Sequence, residues 1–232
     1  MALNMDPRRG GDSRQEGEPR VVSTRERVRQ AAVKLFAAKG FHGTGIRDLA
    51  QEAQLSSASL YHYMGTKEDL LVAIMNESLR RLLDAAEQAT AGLADPVSRL
   101  GSLVALHVLA HAIQPDDTRV VDNEVHALTP GARAEVVGLR DAYERLWADA
   151  IEDGVAAGVF HTEQPSVTRL ALVEMCSGVA RWYSPAGPLT LDQLAAHYAE
   201  LALRALACER HLDVTALQNC REVVSGVWRV PV

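Results

Sequence analysis

Apolar residues recur along this chain at spacings of three and four, almost from residue 23 to the end. That is the period of an amphipathic helix, and no stretch shows the alternation of a half-buried strand. In Arg25–Lys39, Val28, Ala32, Leu35 and Phe36 form one apolar stripe. Ser23 or Thr24 can cap its start, and Gly40 supplies the residue that a helix end favours. Thr44 offers the next cap, ahead of a short helix Ile46–Ala53, and Ser56-Ser57 a third, ahead of a helix to about Tyr63. Leu60 and Tyr63 are expected to face inward there. Thr66 with Asp69 resembles a capping box opening a long helix, Lys67 to about Ala91. Beyond it, Pro96–Ile113, Asp116–Leu128, Ala132–Ala157, Ser166–Tyr183 and Leu191–Ala207 read as helices separated by Pro and Gly breakers. After residue 208 the best helix candidate is Thr215–Val224.

The pattern predicts an all-α protein: a three-helix head containing a helix-turn-helix, joined to a helical body. Residues 1–22 read as a disordered extension, 23–68 as the head, 69–208 as the body and 209–232 as a tail. The first 22 residues have no apolar core and so do not resemble a secretory signal. No run of about 18 uncharged apolar residues suggests a membrane span.

Charge sharpens this division. The chain has a net charge of −6, but residues 20–67 carry eight Lys or Arg against three Asp or Glu, whereas residues 68–232 carry 13 against 23. A basic head on an acidic body suits a module that meets phosphates and a body that avoids them. Cys176, Cys208 and Cys220 are odd in number and widely spaced, which argues against a disulfide framework and for a reduced, cytoplasmic protein.

A recognition helix shows small or flexible polar groups to base edges while its other face packs on the head. Ser57, Ser59 and His62 are candidates for that groove face, and Tyr61 can offer its hydroxyl to a phosphate. Thr44 and Arg47, at the start of the preceding helix, and Lys67, at the start of the long one, are candidates for further phosphate contacts. No nucleophile–base–orienter group is legible, so an enzyme is not expected.

The run Ala31 to Leu71 carries Gly40-Phe41, Thr44, Ile46, Ala50, Ala53, Leu60-Tyr61-His62-Tyr63 and Lys67-Glu68-Asp69-Leu70. It resembles the N-terminal domain of TetR-type repressors over about 45 residues. Ser59 stands where a glycine is frequent, and Tyr63-Met64-Gly65 replaces a common Phe followed by small polar residues. The resemblance implies a dimeric regulator of double-stranded operator DNA, paired through its last two long helices, here 166–183 and 191–207, with Leu170, Val173, Leu194 and Leu201 as seam candidates. It also implies an inducer pocket in the body.

A second resemblance lies at Arg181-Trp182-Tyr183-Ser184-Pro185-Ala186-Gly187-Pro188-Leu189-Thr190. It is similar to the subgroup of that family responding to acyl-CoA thioesters in fatty-acid or steroid breakdown, and implies such an effector. Arg181 could then meet a phosphate and Trp182 stack on adenine, with Leu103, Leu106, Trp147 and Met175 lining an acyl channel and His107 or Tyr143 adding a polar contact. Structural roles compete: Arg181 could pair with Glu174, and Trp182 could pack at a dimer seam. An efflux-pump regulator with a cationic aromatic inducer is also compatible, through the acidic body and Trp147, Trp182 and Tyr143. His107 and His111, four apart with His126 further on, have a spacing that can hold a metal but lack an obvious partner ligand, so neither metal nor cofactor is expected.

Overall fold

In the computed structural model, which describes residues 23–230 and 232, the first helix α1 (Thr24–Lys39) begins where the Ser23 hydroxyl accepts the Glu26 N–H. It ends at Gly40, in the left-handed region at φ 76°. α2 (Ile46–Glu52) and α3 (Ser57–Met64) complete a helix-turn-helix, and α4 (Lys67–Thr90) follows after a Thr66–Asp69 capping box. The body contains α5 (Pro96–Ile113), α6 (Pro115–Asn123), α7 (Pro130–Ala156), α8 (Pro165–Ser177), α9 (Val179–Trp182), α10 (Leu191–Ala205) and α11 (Val214–Trp228). The protein is all-helical, and no strand occurs among the described residues.

Two apolar cores divide the molecule. One joins α1, α2 and α3 to the first half of α4, through Phe36, Leu49, Leu60, Leu71 and Ile74. It does not stop at residue 68: Val120 and Val121 of α6 and Val136 of α7 belong to it. The other gathers the second half of α4 with α5, α7, α8, α10 and α11. α4 therefore runs through both cores as one rigid rod. α5 is long and apolar enough, by composition, to cross a membrane, yet most of it is buried at the centre of the body. α10 and α11 both pack along it.

Several expected elements differ. Gly45, not Thr44, caps α2, and its N–H donates to the Asp48 carboxylate at 3.2 Å. In α3 the inward pair is Leu60 and Met64, a spacing of four, while Tyr63 is exposed. The expected helix Asp116–Leu128 stops at Asn123, where Glu124 turns its carboxylate to the Phe41 N–H at 3.1 Å, and a one-turn 3-10 helix, Val125–Ala127, follows. The expected helix Ser166–Tyr183 breaks at Gly178 into α8 and α9. Leu194 is not on an outer seam but buried in the body core, and Val173 packs against that core. The tail helix is longer than expected: Asp213 caps it, and Cys220 and Val224 are buried.

Candidate functional site

The first candidate surface lies on α3. With Leu60 and Met64 committed to the core, the remaining arc, Ser57, Ala58, Ser59, Tyr61, His62 and Tyr63, faces outward. Ser56 caps the helix by accepting the Ser59 N–H at 3.1 Å, and the two serine hydroxyls lie 2.9 Å apart. The helix is thus set rigidly while its outer face carries small polar groups, an imidazole and two phenols. Arg47, the second residue of α2, is exposed.

Two expected DNA contacts have inward roles instead. Thr44 is buried, and its hydroxyl donates to the Gly40 carbonyl at 2.8 Å, tying off the end of α1. A group sealed in this way cannot reach a phosphate. The Lys67 ammonium donates to the Phe41 and Thr44 carbonyls at 2.8 and 2.9 Å and sits over the Phe41 ring. Those bonds use two of its three donors, so its first task is to brace the α1–α2 corner.

The second candidate site is a partly open cavity of about 310 Å³ between head and body. Its walls come from α4, α5, α6, α7, α8 and α9, and Arg29 of α1 and Trp228 of α11 also line it. Of the expected ligand residues, His107, Tyr143 and Arg181 line it. Leu103, Leu106 and Trp147 do not, because they are sealed inside the body core. Met175 packs against that core, and Trp182 is 54% exposed on the outside, stacked on Tyr198.

Ion pairs neutralise most of the charge around the cavity. Arg29 is held by Asp117 and, at 3.0 Å, by Glu77. Burial alone would lower the Arg29 pKa, but the carboxylates of Asp117 and Glu77 outweigh it and raise it. Arg140 reaches Asp122 at 3.4 Å, and Arg169 pairs with Glu144. Burial raises the Asp122 pKa, with Arg140 opposing. The anticipated Arg181–Glu174 pair is not formed. Both side chains are exposed and line the cavity.

Two histidines occupy the inner wall. Their rings stack with centroids 3.7 Å apart. His107 bonds the Tyr143 hydroxyl through Nδ1 at 2.8 Å and the Ser177 hydroxyl through Nε2 at 3.0 Å. His111 donates from Nδ1 to the His107 carbonyl at 2.8 Å. Burial holds both rings neutral, lowering the His111 pKa to about 4. The spacing that suggested a metal pair thus builds a hydrogen-bonded wall, and His126 lies apart on the 3-10 turn. Among the described residues, no three His, Cys, Asp or Glu side chains gather as a metal set. Cys176 is buried among apolar neighbours, which pushes its thiol up to about 12 and leaves it unreactive. Sequence reasoning missed Arg29, Asp117, Ser177 and Trp228 in this wall. Two histidines in an otherwise apolar helix were the one available signal, since buried imidazoles require partners.

Residues 28–74 match the model described as bacterial regulatory proteins of the tetR family. Residues 93–206 match that of the tetracyclin repressor-like C-terminal domain. The HTH-type transcriptional repressor KstR2 of Mycolicibacterium smegmatis is 27% identical over 184 residues, 78% of this chain and 90% of that protein. A crystal structure of a tetR-family bacterial regulatory protein from Rhodococcus RHA1 is 32% identical, covers 81% of this chain and 98% of its own, and superposes with a TM-score of 0.74. AibR in complex with isovaleryl coenzyme A and operator DNA shares the fold, at 23% identity over 77% of this chain and 97% of its own, with a TM-score of 0.70.

Proposed function

This chain belongs to the tetR family of bacterial regulatory proteins, a DNA-binding transcriptional regulator rather than an enzyme, and from that premise we propose a dimeric repressor released from its operator by an acyl-CoA thioester. The observation that carries the reading is the shared wall: the cavity is lined by Asp117 of α6 and by Arg29 of α1, which pair with each other. A ligand there meets the same ion pair that fixes the head against the body. Occupancy then shifts the head by as much as the ligand prefers the displaced form.

On the DNA side, the α3 arc of Ser57, Ser59, Tyr61 and His62 enters the major groove and Arg47 meets the backbone. Two heads are needed for two half-sites, and α8 and α10 supply the seam. Val167, Leu170 and Leu201 are exposed on these helices, an apolar face that pairing with a second copy would bury. On the ligand side, the acyl group lies in the cavity while Arg181, which forms no ion pair among the described residues, meets a CoA phosphate at the rim. The same fold holds isovaleryl coenzyme A in AibR.

The test is fluorescence-polarisation binding to the DNA upstream of this protein's own gene, titrated with acyl-CoAs of several lengths. Release is expected with a thioester but not with free CoA or the free acid, and Arg181→Ala is expected to raise the required concentration about tenfold. Operator binding that no thioester disturbs would discard the acyl-CoA effector. Cationic aromatic compounds would then be tried, for which Tyr143 and Trp228 in the cavity wall provide faces.

A further inference from the structure

The histidine wall constrains what fills the cavity beyond size and charge. A carbonyl oxygen can only accept, so the 2.8 Å contact between His111 Nδ1 and the His107 carbonyl places the ring proton on Nδ1. The ring is neutral, held so by burial, which outweighs the hydrogen bond to the His107 carbonyl, and it stacks on the His107 ring with centroids 3.7 Å apart. Nε2 is then a bare lone pair. It has no hydrogen-bond partner among the described residues, yet it is not among their sealed, unpartnered atoms. His111 is only 8% exposed, and it lines this cavity.

His107 has the complementary arrangement. If the Tyr143 hydroxyl donates to Nδ1 and Nε2–H donates to Ser177, every proton in the chain is used except that of Ser177, which lines the cavity too. The opposite direction would leave the proton of a nearly buried phenol without an acceptor. The inner wall therefore offers one acceptor, at His111, and one donor, at Ser177. Carboxylates elsewhere in the lining are largely taken by arginines: Asp117 by Arg29, Asp122 by Arg140 and Glu144 by Arg169.

We infer that His111 Nε2 is a specificity-determining acceptor, and that the effector is an apolar molecule presenting a hydroxyl or N–H group to it. This rests on the reading that the cavity is an effector site, though not on the effector being a thioester. An apolar ligand without a donor would strand the lone pair away from water, which selects against ethers, ketones and plain hydrocarbons of the same shape.

A matched pair tests it without CoA: 4-butylphenol and its methyl ether, titrated separately against the full-length protein. Trp228 provides the signal, because it lines the cavity whereas Trp147 is sealed and Trp182 lies outside. The phenol is expected to bind about five- to tenfold more tightly than the ether, although the ether is the more apolar of the two. In His111→Phe, which keeps an aromatic ring on the stack, that preference is expected to shrink to within about twofold. On protein labelled with 15N-histidine, the phenol and not the ether should move the His111 Nε2 resonance, a readout that needs no variant. Equal binding of the two in the native protein, a preference that persists in His111→Phe, an unmoved Nε2 signal, or no binding of either would each overturn the proposal. Failure of thioesters in the operator assay leaves it standing, and its own failure leaves the thioester reading standing, so the two are distinguishable.

Discussion

At the scale of single residues, the molecule's most consequential choice is to bury two histidines rather than apolar residues in α5. The cost appears as pH dependence. An ordinary histidine titrates near 6.5, whereas burial lowers His111 to about 4 and holds His107 well below the usual value. Between those limits the unfolded chain binds protons that the folded chain refuses, so stability rises with pH through this window and is lost as pH falls from 6.5 towards 4. His111 alone accounts for roughly 3 kcal/mol over that interval. We expect the urea midpoint to fall between pH 7.5 and 5.5, and the fall to be smaller in His111→Phe. An identical fall in that variant would mean that other groups set the slope. Thr44 makes a related point from the opposite side. As a polar residue next to a helix start it reads as a cap and a phosphate contact, yet its hydroxyl is spent on the Gly40 carbonyl inside the head. Side-chain type was legible in both cases; the direction in which each group points was fixed by packing that no local pattern records.

At the scale of elements, the helix-turn-helix was legible because its signals are local: Ser23, Ser56 and Thr66 cap α1, α3 and α4, and apolar residues repeat every three or four positions. What was not legible depended on distant partners. The end of α6 is set by Glu124 reaching the Phe41 N–H, 83 residues earlier in the chain. The length of α11 is set by Cys220 and Val224 docking in the body core, together with α5. The cavity was only partly foreseen for the same reason: a leucine on α5 reads alike whether it lines a void or fills a core. The turn between α2 and α3 shows local sequence yielding to the fold. Gln54 is held at φ 57°, where a side chain is disfavoured, while the Leu55 N–H closes the helix end onto the Ala50 carbonyl at 2.8 Å. Glycine accepts that conformation without steric cost. Gln54→Gly is therefore expected to stabilise the protein by about 0.5–1 kcal/mol, a rise in melting temperature of a few degrees. A lower melting temperature would show that the Gln54 side chain contributes more than its backbone costs.

At the scale of the whole molecule, α4 links the two cores, carrying Leu71 and Ile74 in the head core and Ala85 and Ala86 in the body core. A helix shared by both cores cannot tilt at one end without moving the other, so in the proposed dimer head spacing would follow what the body holds. That consequence requires a second copy, because a lone head has no spacing to change. The outward apolar residues identify the face: Leu170 is 49% exposed on α8 and Leu201 39% exposed on α10. Replacing both with glutamate places two charges per copy on a surface that would otherwise be desolvated, and the repulsion doubles across a two-fold axis. Both sites are solvent-facing in the single chain, so its own fold should survive, as circular dichroism would report. Sedimentation is then expected to give the 25.2 kDa single chain for the double variant and twice that mass for the native protein. Operator affinity is expected to fall at least about 100-fold, since each head loses the effective concentration supplied by the other. A double variant that still sediments as a dimer would move the seam off α8 and α10. One that becomes a single chain yet holds the operator as tightly as before would show that one head suffices, and the link from cavity to head spacing would fail with it.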